Sequence, residues 1–343
     1  MTAVPPLPLA IPLLVLLALP TPGHAADAPT GLHGALTFTD DADLAHQSEL
    51  RRRLASPLAA LRLSRQAEAD RPIDLAREKF TLYVPDEAPP SGYALLVFVS
   101  PWATAPLPSH WAPVLDRHGM IFVSAADAGN DADLFARRAP LALLAARNVM
   151  ARYRIDPARL YVGGFSGGAR VAERLALGYP DLFRGALLEA GSDPLGETAP
   201  PPAADLFHRF QESTRLVYLT GAHDAFHFDE DELSRRSMAD WCVFGTATET
   251  MPGAGHELAV PAALDRALTA LDEHPTPDPA RLAVCRDGLE RALQAGLGEV
   301  EAARAAGRID EAKRLLGTLD SRFGGLAAPR SLELAVKILG QPG

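Results

Sequence analysis

The feature that most constrains this chain is the pentapeptide Gly164-Phe165-Ser166-Gly167-Gly168, which lies between a strand-like run and a helix-like run. Residues 159–162 before it are rich in β-forming side chains, and residues 169–177 after it have the composition of a helix. A serine on so tight a strand-to-helix turn takes a strained backbone conformation, and small residues two positions before and after it let the turn close. The pattern predicts that the turn presents Ser166 as a nucleophile and points the N–H of Gly167 toward an oxyanion.

The segments around the pentapeptide alternate between strand-like and helix-like composition. Strand-like runs occur at 80–84, 93–99, 119–123, 159–162, 185–188, 216–219 and 246–250. The run at 93–99 is almost continuously apolar, which is typical of a strand buried on both faces. The alternation predicts an α/β fold over residues 79–274, with a mainly parallel sheet, helices on both faces and a ligand site beyond the carboxyl ends of the strands.

The first 25 residues have the pattern of a secretory signal peptide. An apolar run at 13–19 is followed by prolines and then by small residues that end at Ala25. A short membrane anchor is the alternative, although the run is short for a hydrocarbon layer of about 30 Å. Removal of residues 1–25 would leave a leader over 26–78, predicted to be partly helical, and would place the protein in the periplasm or outside the cell.

The formal charge of −10 at pH 7 bears on the choice of partners. No basic patch emerges from the sequence, so nucleic acid is predicted not to be a partner and stable membrane insertion is not expected. No spacing of cysteines or histidines resembles a zinc site, and neither a metal nor an organic cofactor is implied.

The chain contains two cysteines, Cys242 and Cys285. In an oxidising compartment such a pair predicts one disulfide, which would tie the last helical segment to the preceding domain; two buried free thiols are the alternative. A proline-rich linker at 275–279 opens that last segment, and the residues after it have only helical patterns. We interpret 275–343 as a small helical appendage that caps the domain, and a docking surface for a protein partner is the alternative.

A serine nucleophile needs a base that takes its proton and a carboxylate that holds the base in the right tautomer. Asp224 lies just past the run at 216–219, and His256 follows the last strand-like run in a loop of small residues. The chain order of serine, acid and histidine predicts Ser166, Asp224 and His256 as a catalytic triad. The alternative bases are His223 and His227, and the alternative acids are Asp193, Asp229 and Asp231.

With these features the chain resembles the α/β-hydrolase superfamily over roughly residues 79–274. Within that superfamily, the stretch 153–168 and the pentapeptide Tyr179-Pro180-Asp181-Leu182-Phe183 are similar to the secreted polyhydroxybutyrate-depolymerase and feruloyl-esterase-like branch. The resemblance implies hydrolysis of a small-molecule or polymeric ester through an acyl-enzyme. The serine would be the nucleophile, the histidine the base and then the acid, and the aspartate the group that orients the histidine.

One segment departs from that branch. Relatives often carry His-Gly after the strand that corresponds to 93–99, and the backbone there supplies a second oxyanion donor. Here the residues are Ser100-Pro101-Trp102, and proline has no N–H to donate. We therefore predict an oxyanion hole formed by the N–H groups of Gly167 and Trp102.

Aromatic side chains near the motifs are the candidates for an acyl or aryl pocket. Phe165, Trp111 and Phe226 are the predicted substrate-binding residues, and ordinary core packing is the alternative for each. Two polar residues between the motifs, Asn130 and Arg138, are interpreted as structural.

Two further functions stay open from the sequence. A serine peptidase of the prolyl-oligopeptidase type would share the serine turn and the fold, but this chain is too short for the large extra domain that such enzymes usually carry. A non-catalytic binding protein that kept the hydrolase fold is the third hypothesis, and Pro101 is the residue that supports it.

Overall fold

The computed structural model describes residues 29–66 and 73–339. The predicted signal peptide, 1–25, lies outside these residues. Eight strands form one sheet: β1 (Gly31–Leu36), β2 (Phe80–Val84), β3 (Tyr93–Val99), β4 (Met120–Ala125), β5 (Ile155–Phe165), β6 (Gly185–Glu189), β7 (Arg215–Gly221) and β8 (Thr246–Met251). Each strand-like run of the sequence corresponds to one of the strands from β2 to β8.

The strand order in the sheet is β1-β2-β4-β3-β5-β6-β7-β8. Strand β2 is antiparallel to both of its neighbours, β1 and β4. The remaining strands, β3 to β8, all run parallel to one another. Leu96 of β3 pairs with Phe122 of β4 and with Tyr161 of β5, so β3 lies inside the sheet. Strand β1 at the edge comes from the segment predicted as a leader, where the sequence indicated no strand.

Helices connect the parallel strands and continue after the sheet: α1 (Gln47–Leu54), α2 (Pro57–Gln66), α3 (Ala112–His118), α4 (Ala139–Arg152), α5 (Gly167–Gly178), α6 (Ala204–Ser213), α7 (Ala225–Asp240), α8 (Pro261–Asp272), α9 (Pro279–Ala305), α10 (Ile309–Phe323) and α11 (Arg330–Leu339). Local chemistry sets several of their ends. The carboxylate of Asp278 accepts hydrogen bonds from the first N–H groups of α9, and Gly119, with a φ of 53°, ends α3. Within residues 29–66 and 73–339, no helix combines the length and the apolarity that a membrane span requires.

The central strands are buried on both faces because their alternate residues enter two separate apolar cores. In β3, Leu95 packs into a core that α1, α4 and α5 share. The next residue, Leu96, points to the opposite face and packs into a core formed with α3 and α8. The continuous apolar run at 93–99 is the consequence of this two-sided burial.

The C-terminal helices pack against the larger of the two cores. Trp241, which follows α7, contacts Phe323 of α10 with a distance of 5.4 Å between ring centroids. The predicted disulfide between Cys242 and Cys285 is confirmed, and it joins the chain after α7 to α9 with the two Cα atoms 5.8 Å apart. A covalent and an apolar contact therefore attach the appendage to the sheet domain.

Replacement of both Cys242 and Cys285 by alanine is expected to lower the free energy of unfolding by about 2–4 kcal/mol. The cysteines are 43 positions apart in the sequence, so the loss of the disulfide increases the conformational freedom of the unfolded chain. Urea unfolding measures the change. Dithiothreitol should shift the parent protein to the midpoint of the variant and leave the variant unchanged; equal midpoints for the oxidised parent and the variant would contradict the prediction.

Candidate active site

The turn between β5 and α5 has the geometry of a nucleophile elbow. Ser166 has a φ of 54° and a ψ of −124°, a conformation that residues with a side chain rarely adopt. A Cβ atom at Gly164 would collide with the carbonyl group of Gly168, and one at Gly168 would collide with the carbonyl oxygen of Val99. The two glycines are therefore what lets the strained serine stand on the turn.

Asp224 and His256 lie beyond the carboxyl ends of the parallel strands, as Ser166 does, and they contact each other there. His256 Nδ1 is 2.6 Å from Asp224 Oδ2, and His227 Nδ1 is 2.9 Å from each oxygen of the same carboxylate. Burial would raise the pKa of Asp224, but the hydrogen bonds from His227 and His256 outweigh burial and hold the pKa below its usual value. An ionised carboxylate only accepts hydrogen bonds, so Nδ1 of each histidine carries a proton and donates it. In the neutral form of His256, Nε2 then has the free lone pair.

The imidazole of His256 lies between two other rings. Its centroid is 4.6 Å from that of Phe165 and 4.1 Å from that of His227, with an angle of 11° between the two imidazole planes. Because Phe165 directly precedes Ser166, this stacking places His256 beside the elbow. In the described part of the chain the Ser166 hydroxyl makes no hydrogen bond to His256; in enzymes without substrate such bonds are often long and tighten in the complex.

Two buried side chains hold the loop that follows His256. Glu189, at the end of β6, accepts a hydrogen bond from the N–H of Ala259 at 2.9 Å. The indole N–H of Trp111 donates to the carbonyl oxygen of Ala259, also at 2.9 Å. Trp111 is 0% exposed and packs against Phe98. The prediction that Trp111 binds substrate is therefore corrected: its ring has no surface for a ligand to touch, and it supports the histidine loop from the core.

Glu189→Gln is expected to flatten the pH dependence of stability. Burial raises the pKa of Glu189 from 4.5 to about 8, although the N–H of Ala259 opposes the rise. Between these pH values the unfolded chain has lost the proton and the folded chain has kept it, so the free energy of unfolding falls as the pH rises. Glutamine can keep the hydrogen bond to Ala259 and has no such proton to lose. The free energy of unfolding of the variant should therefore exceed that of the parent by on the order of 3 kcal/mol at pH 8, and the two values should differ little at pH 5.

Urea unfolding of both proteins at pH 5 and at pH 8 measures this difference. Glu299→Gln, the same change at an exposed position of α9, is the matched control and should follow the parent at both pH values. If Glu189→Gln also followed the parent, the buried carboxyl group would not be protonated in the folded protein.

One of the two predicted oxyanion donors is engaged elsewhere. The N–H of Gly167 is the first of α5, so no residue of that helix can accept it. The N–H of Trp102, in contrast, donates to Ser100 Oγ at 3.1 Å. The prediction that Trp102 supplies the second donor is therefore not met in this structure, because a serine side chain two residues earlier binds that N–H locally.

The aromatic side chains around the elbow differ in exposure. Trp102 and Phe226 are 47% and 65% exposed. The ring of Trp102 lies 5.6 Å from that of Phe165, and the ring of Phe226 lies 5.0 Å from that of His227. Phe165 itself is only 3% exposed, since its neighbours cover it. Of these three phenylalanine and tryptophan rings, Trp102 and Phe226 are thus the exposed ones.

The side chains of Asp224, His227 and His256 also have ligand atoms within 4.8 Å of one another. A divalent cation could bridge that spacing. The Nδ1 protons of both histidines already bind the carboxylate, so a cation would have to displace them first.

No known protein-family model matches the chain, and no curated protein sequence matches it. Solved structures do match. A thermostable esterase is 16% identical, with a TM-score of 0.38, over 52% of this chain and 51% of its own. An esterase of the archaeon Pyrobaculum calidifontis is 15% identical, with a TM-score of 0.43, over 57% and 79% of the two chains. An S-formylglutathione hydrolase of Staphylococcus aureus is 13% identical, with a TM-score of 0.43, over 57% and 93%.

This chain spans about half the length of the first of these proteins. The fold is assigned from the order of the strands and from the positions of the site residues along them. Along the mainly parallel sheet, the serine elbow follows β5, the acid follows β7 and the histidine follows β8, all at carboxyl ends of strands. The chain has the α/β-hydrolase fold. The predicted fold class is therefore confirmed, together with its helical C-terminal part. The narrower resemblance to the depolymerase and feruloyl-esterase branch stays a prediction.

The sequence analysis did not predict the contacts of two side chains at this site, His227 and Glu189. The sequence offers His227 only as an alternative base, whereas in the structure it is the second partner of Asp224. Its place one helical turn after Asp224 is the signal that could have revealed the contact. Glu189 ends an apolar strand-like run, and an acid at that position was the signal for a buried carboxyl group.

Proposed function

We propose that this chain is a serine hydrolase that cleaves carboxylic esters through an acyl-enzyme. The observation that carries the proposal is the hydrogen bond of 2.6 Å from His256 Nδ1 to the carboxylate of Asp224, next to a serine on a strained elbow. A carboxylate in that place fixes the tautomer whose Nε2 can take the serine proton, and it stabilises the imidazolium that results.

The reaction follows from these groups. Ser166 Oγ attacks the ester carbonyl carbon while its proton passes to His256 Nε2, and the N–H of Gly167 at the start of α5 stabilises the oxyanion. The bond to the alcohol oxygen breaks, and His256 gives the proton to that oxygen. Water then attacks the acyl-enzyme, again losing a proton to His256. Collapse of the second intermediate releases the acid and returns the proton to Ser166.

We also propose that the protein works in the periplasm or outside the cell. The disulfide between Cys242 and Cys285 supports an oxidising compartment, and the pattern of residues 1–25 supports export. Mass spectrometry of the protein recovered from a cell fractionation would test this. Full-length protein confined to the cytoplasm would contradict it.

A fluorophosphonate probe and a pair of chromogenic substrates test the proposed reaction. The probe should label the folded protein on one serine, which peptide mapping should place at Ser166. The p-nitrophenyl ester of butyrate should be turned over much faster than the p-nitroanilide. Turnover of dipeptide p-nitroanilides without ester turnover would instead indicate a peptidase, and a folded protein that neither reacts nor turns over either substrate would overturn the proposal.

A further inference from the structure

A cavity of about 320 Å³ lies beside the elbow. Its wall includes Gly167, the residue directly after Ser166. Three guanidinium groups and one carboxylate also line it, those of Arg138, Arg170, Arg174 and Asp193. Positive charge therefore predominates in a cavity that adjoins the predicted oxyanion donor.

Arg138 is the buried cation of this cavity. It is 7% exposed, and its guanidinium donates to the carbonyl oxygens of Ala128 at 3.0 Å and of Ser100 at 3.3 Å. Among residues 29–66 and 73–339 no carboxylate forms an ion pair with it. A buried guanidinium without an anionic partner is costly, so a ligand anion would supply what the fold does not.

The two other arginines differ from Arg138 because they have partners. Arg170 lies 2.8 Å from Asp193 and 2.5 Å from Glu230, and Arg174 lies 3.3 Å from Asp193. Both project from α5, Arg170 from its first turn and Arg174 one turn further along the helix. The carboxylates fix the positions of these two guanidinium groups, and the net charge of the lining stays positive.

Apart from the amide of Asn130 and the backbone of Gly167, the rest of the lining is apolar. Ala132, Leu134 and Val171 contribute their side chains to the same cavity. A ligand with an anionic group at one end and a short hydrocarbon segment next to it would match this distribution, because each part would meet a surface of its own polarity.

The sheet topology indicates which part of an ester reaches the cavity. Asn130 and Arg138 follow β4, which lies on the opposite side of β5 from β7 and β8. His256 follows β8, and in the proposed reaction it protonates the leaving alcohol. An alcohol bound toward β8 would leave the β4 side of the elbow, where Arg138 lies, for the acyl chain.

We infer that the cavity is a subsite for a carboxylate at the far end of the acyl chain, so that monoesters of dicarboxylic acids are the preferred substrates. This inference rests on the proposed function, since it takes Ser166 as the nucleophile and His256 as the group that protonates the alcohol. The carboxylate would bind the free face of Arg138 in a charge-assisted hydrogen bond.

Monoethyl succinate, glutarate and adipate test the inference, each measured beside its neutral monoamide, which has the same shape without the charge. For the best chain length, kcat/KM of the acid should exceed that of the amide by roughly 10- to 100-fold. Arg138→Met should bring this ratio close to one, and Arg174→Met should lower it to a smaller extent. Arg266→Met, at an exposed position of α8, is the matched control and should keep the ratio of the parent.

The outcomes distinguish a failure of the subsite proposal from a failure of the esterase proposal. Equal turnover of acid and amide by the parent would overturn the subsite and leave the esterase proposal standing. Equal losses for both substrates in Arg138→Met, with the ratio unchanged, would mean that Arg138 only supports the backbone at Ser100 and Ala128.

Calorimetric titration of Ser166→Ala protein with the same monoesters measures binding without turnover. Binding that is lost when Arg138→Met is added would support the subsite even if no ester were hydrolysed. A folded Ser166→Ala protein that binds neither the acids nor the amides at millimolar concentration would overturn it.

Discussion

Ser166→Ala is expected to lower kcat/KM for p-nitrophenyl butyrate by roughly 10⁴- to 10⁶-fold. Every covalent step of the proposed reaction passes through Ser166 Oγ, so the remaining rate comes only from the oxyanion donor and from substrate binding. The variant should fold as the parent does, because alanine keeps the Cβ atom and bears the same positive φ of 54° as the serine. Initial rates with the ester measure the loss.

Ser321→Ala is the matched control, since it makes the same change at an exposed position of α10. It should retain full activity, and fluorophosphonate labelling should disappear only in Ser166→Ala. Unchanged turnover in a folded Ser166→Ala protein would show that ester cleavage in the preparation does not use this serine.

The parts of the site that the sequence predicted are those governed by local rules. A strand, a tight turn and a helix within a short span determine where Ser166 points, and glycines mark the turn because a Cβ atom would collide there. The strand-like runs inside the sheet, such as 93–99, were recognisable because two-sided burial leaves them apolar. Once the sheet is parallel, the carboxyl ends of its strands share an edge, so Asp224 and His256 were predicted to lie near Ser166.

The parts that escaped prediction depend on distant or competing contacts. Trp111 becomes a support for the histidine loop only because Ala259, far along the chain, offers a carbonyl group to its indole. The N–H of Trp102 was predicted to donate to a substrate oxyanion, whereas in this structure it donates to Ser100 Oγ. Composition and periodicity do not rank such alternatives, because the ranking depends on distances that the fold sets.

The second histidine changes the surroundings of Asp224, the acid of the proposed triad. Asp224 Oδ2 accepts from both His256 and His227, whereas Oδ1 accepts from His227 alone. His227 therefore restricts the orientation of the carboxylate that His256 binds, and its ring stacks on that of His256.

Asp224→Asn is expected to lower kcat for ester hydrolysis by roughly 10³- to 10⁴-fold while the protein stays folded. The amide has the shape of the carboxylate but no charge, so it cannot stabilise the imidazolium that His256 becomes during attack. Its NH₂ group must also face one of the two histidine Nδ1 atoms, and that histidine then has to accept instead of donate. If the NH₂ group faces His256, the proton moves to Nε2 and the base is lost.

Asp229→Asn, the same change at an exposed position of α7, separates the role of Asp224 from a general loss of negative charge and should leave kcat unchanged. Fluorophosphonate labelling of Asp224→Asn should slow in parallel with kcat, because both reactions need the serine proton to be removed. A loss of less than tenfold in kcat would mean that His256 does not need this carboxylate. The orienting acid would then have to be sought among the buried carboxylates nearby, and Asp231, which accepts a hydrogen bond from Ser192, would be the next residue to replace.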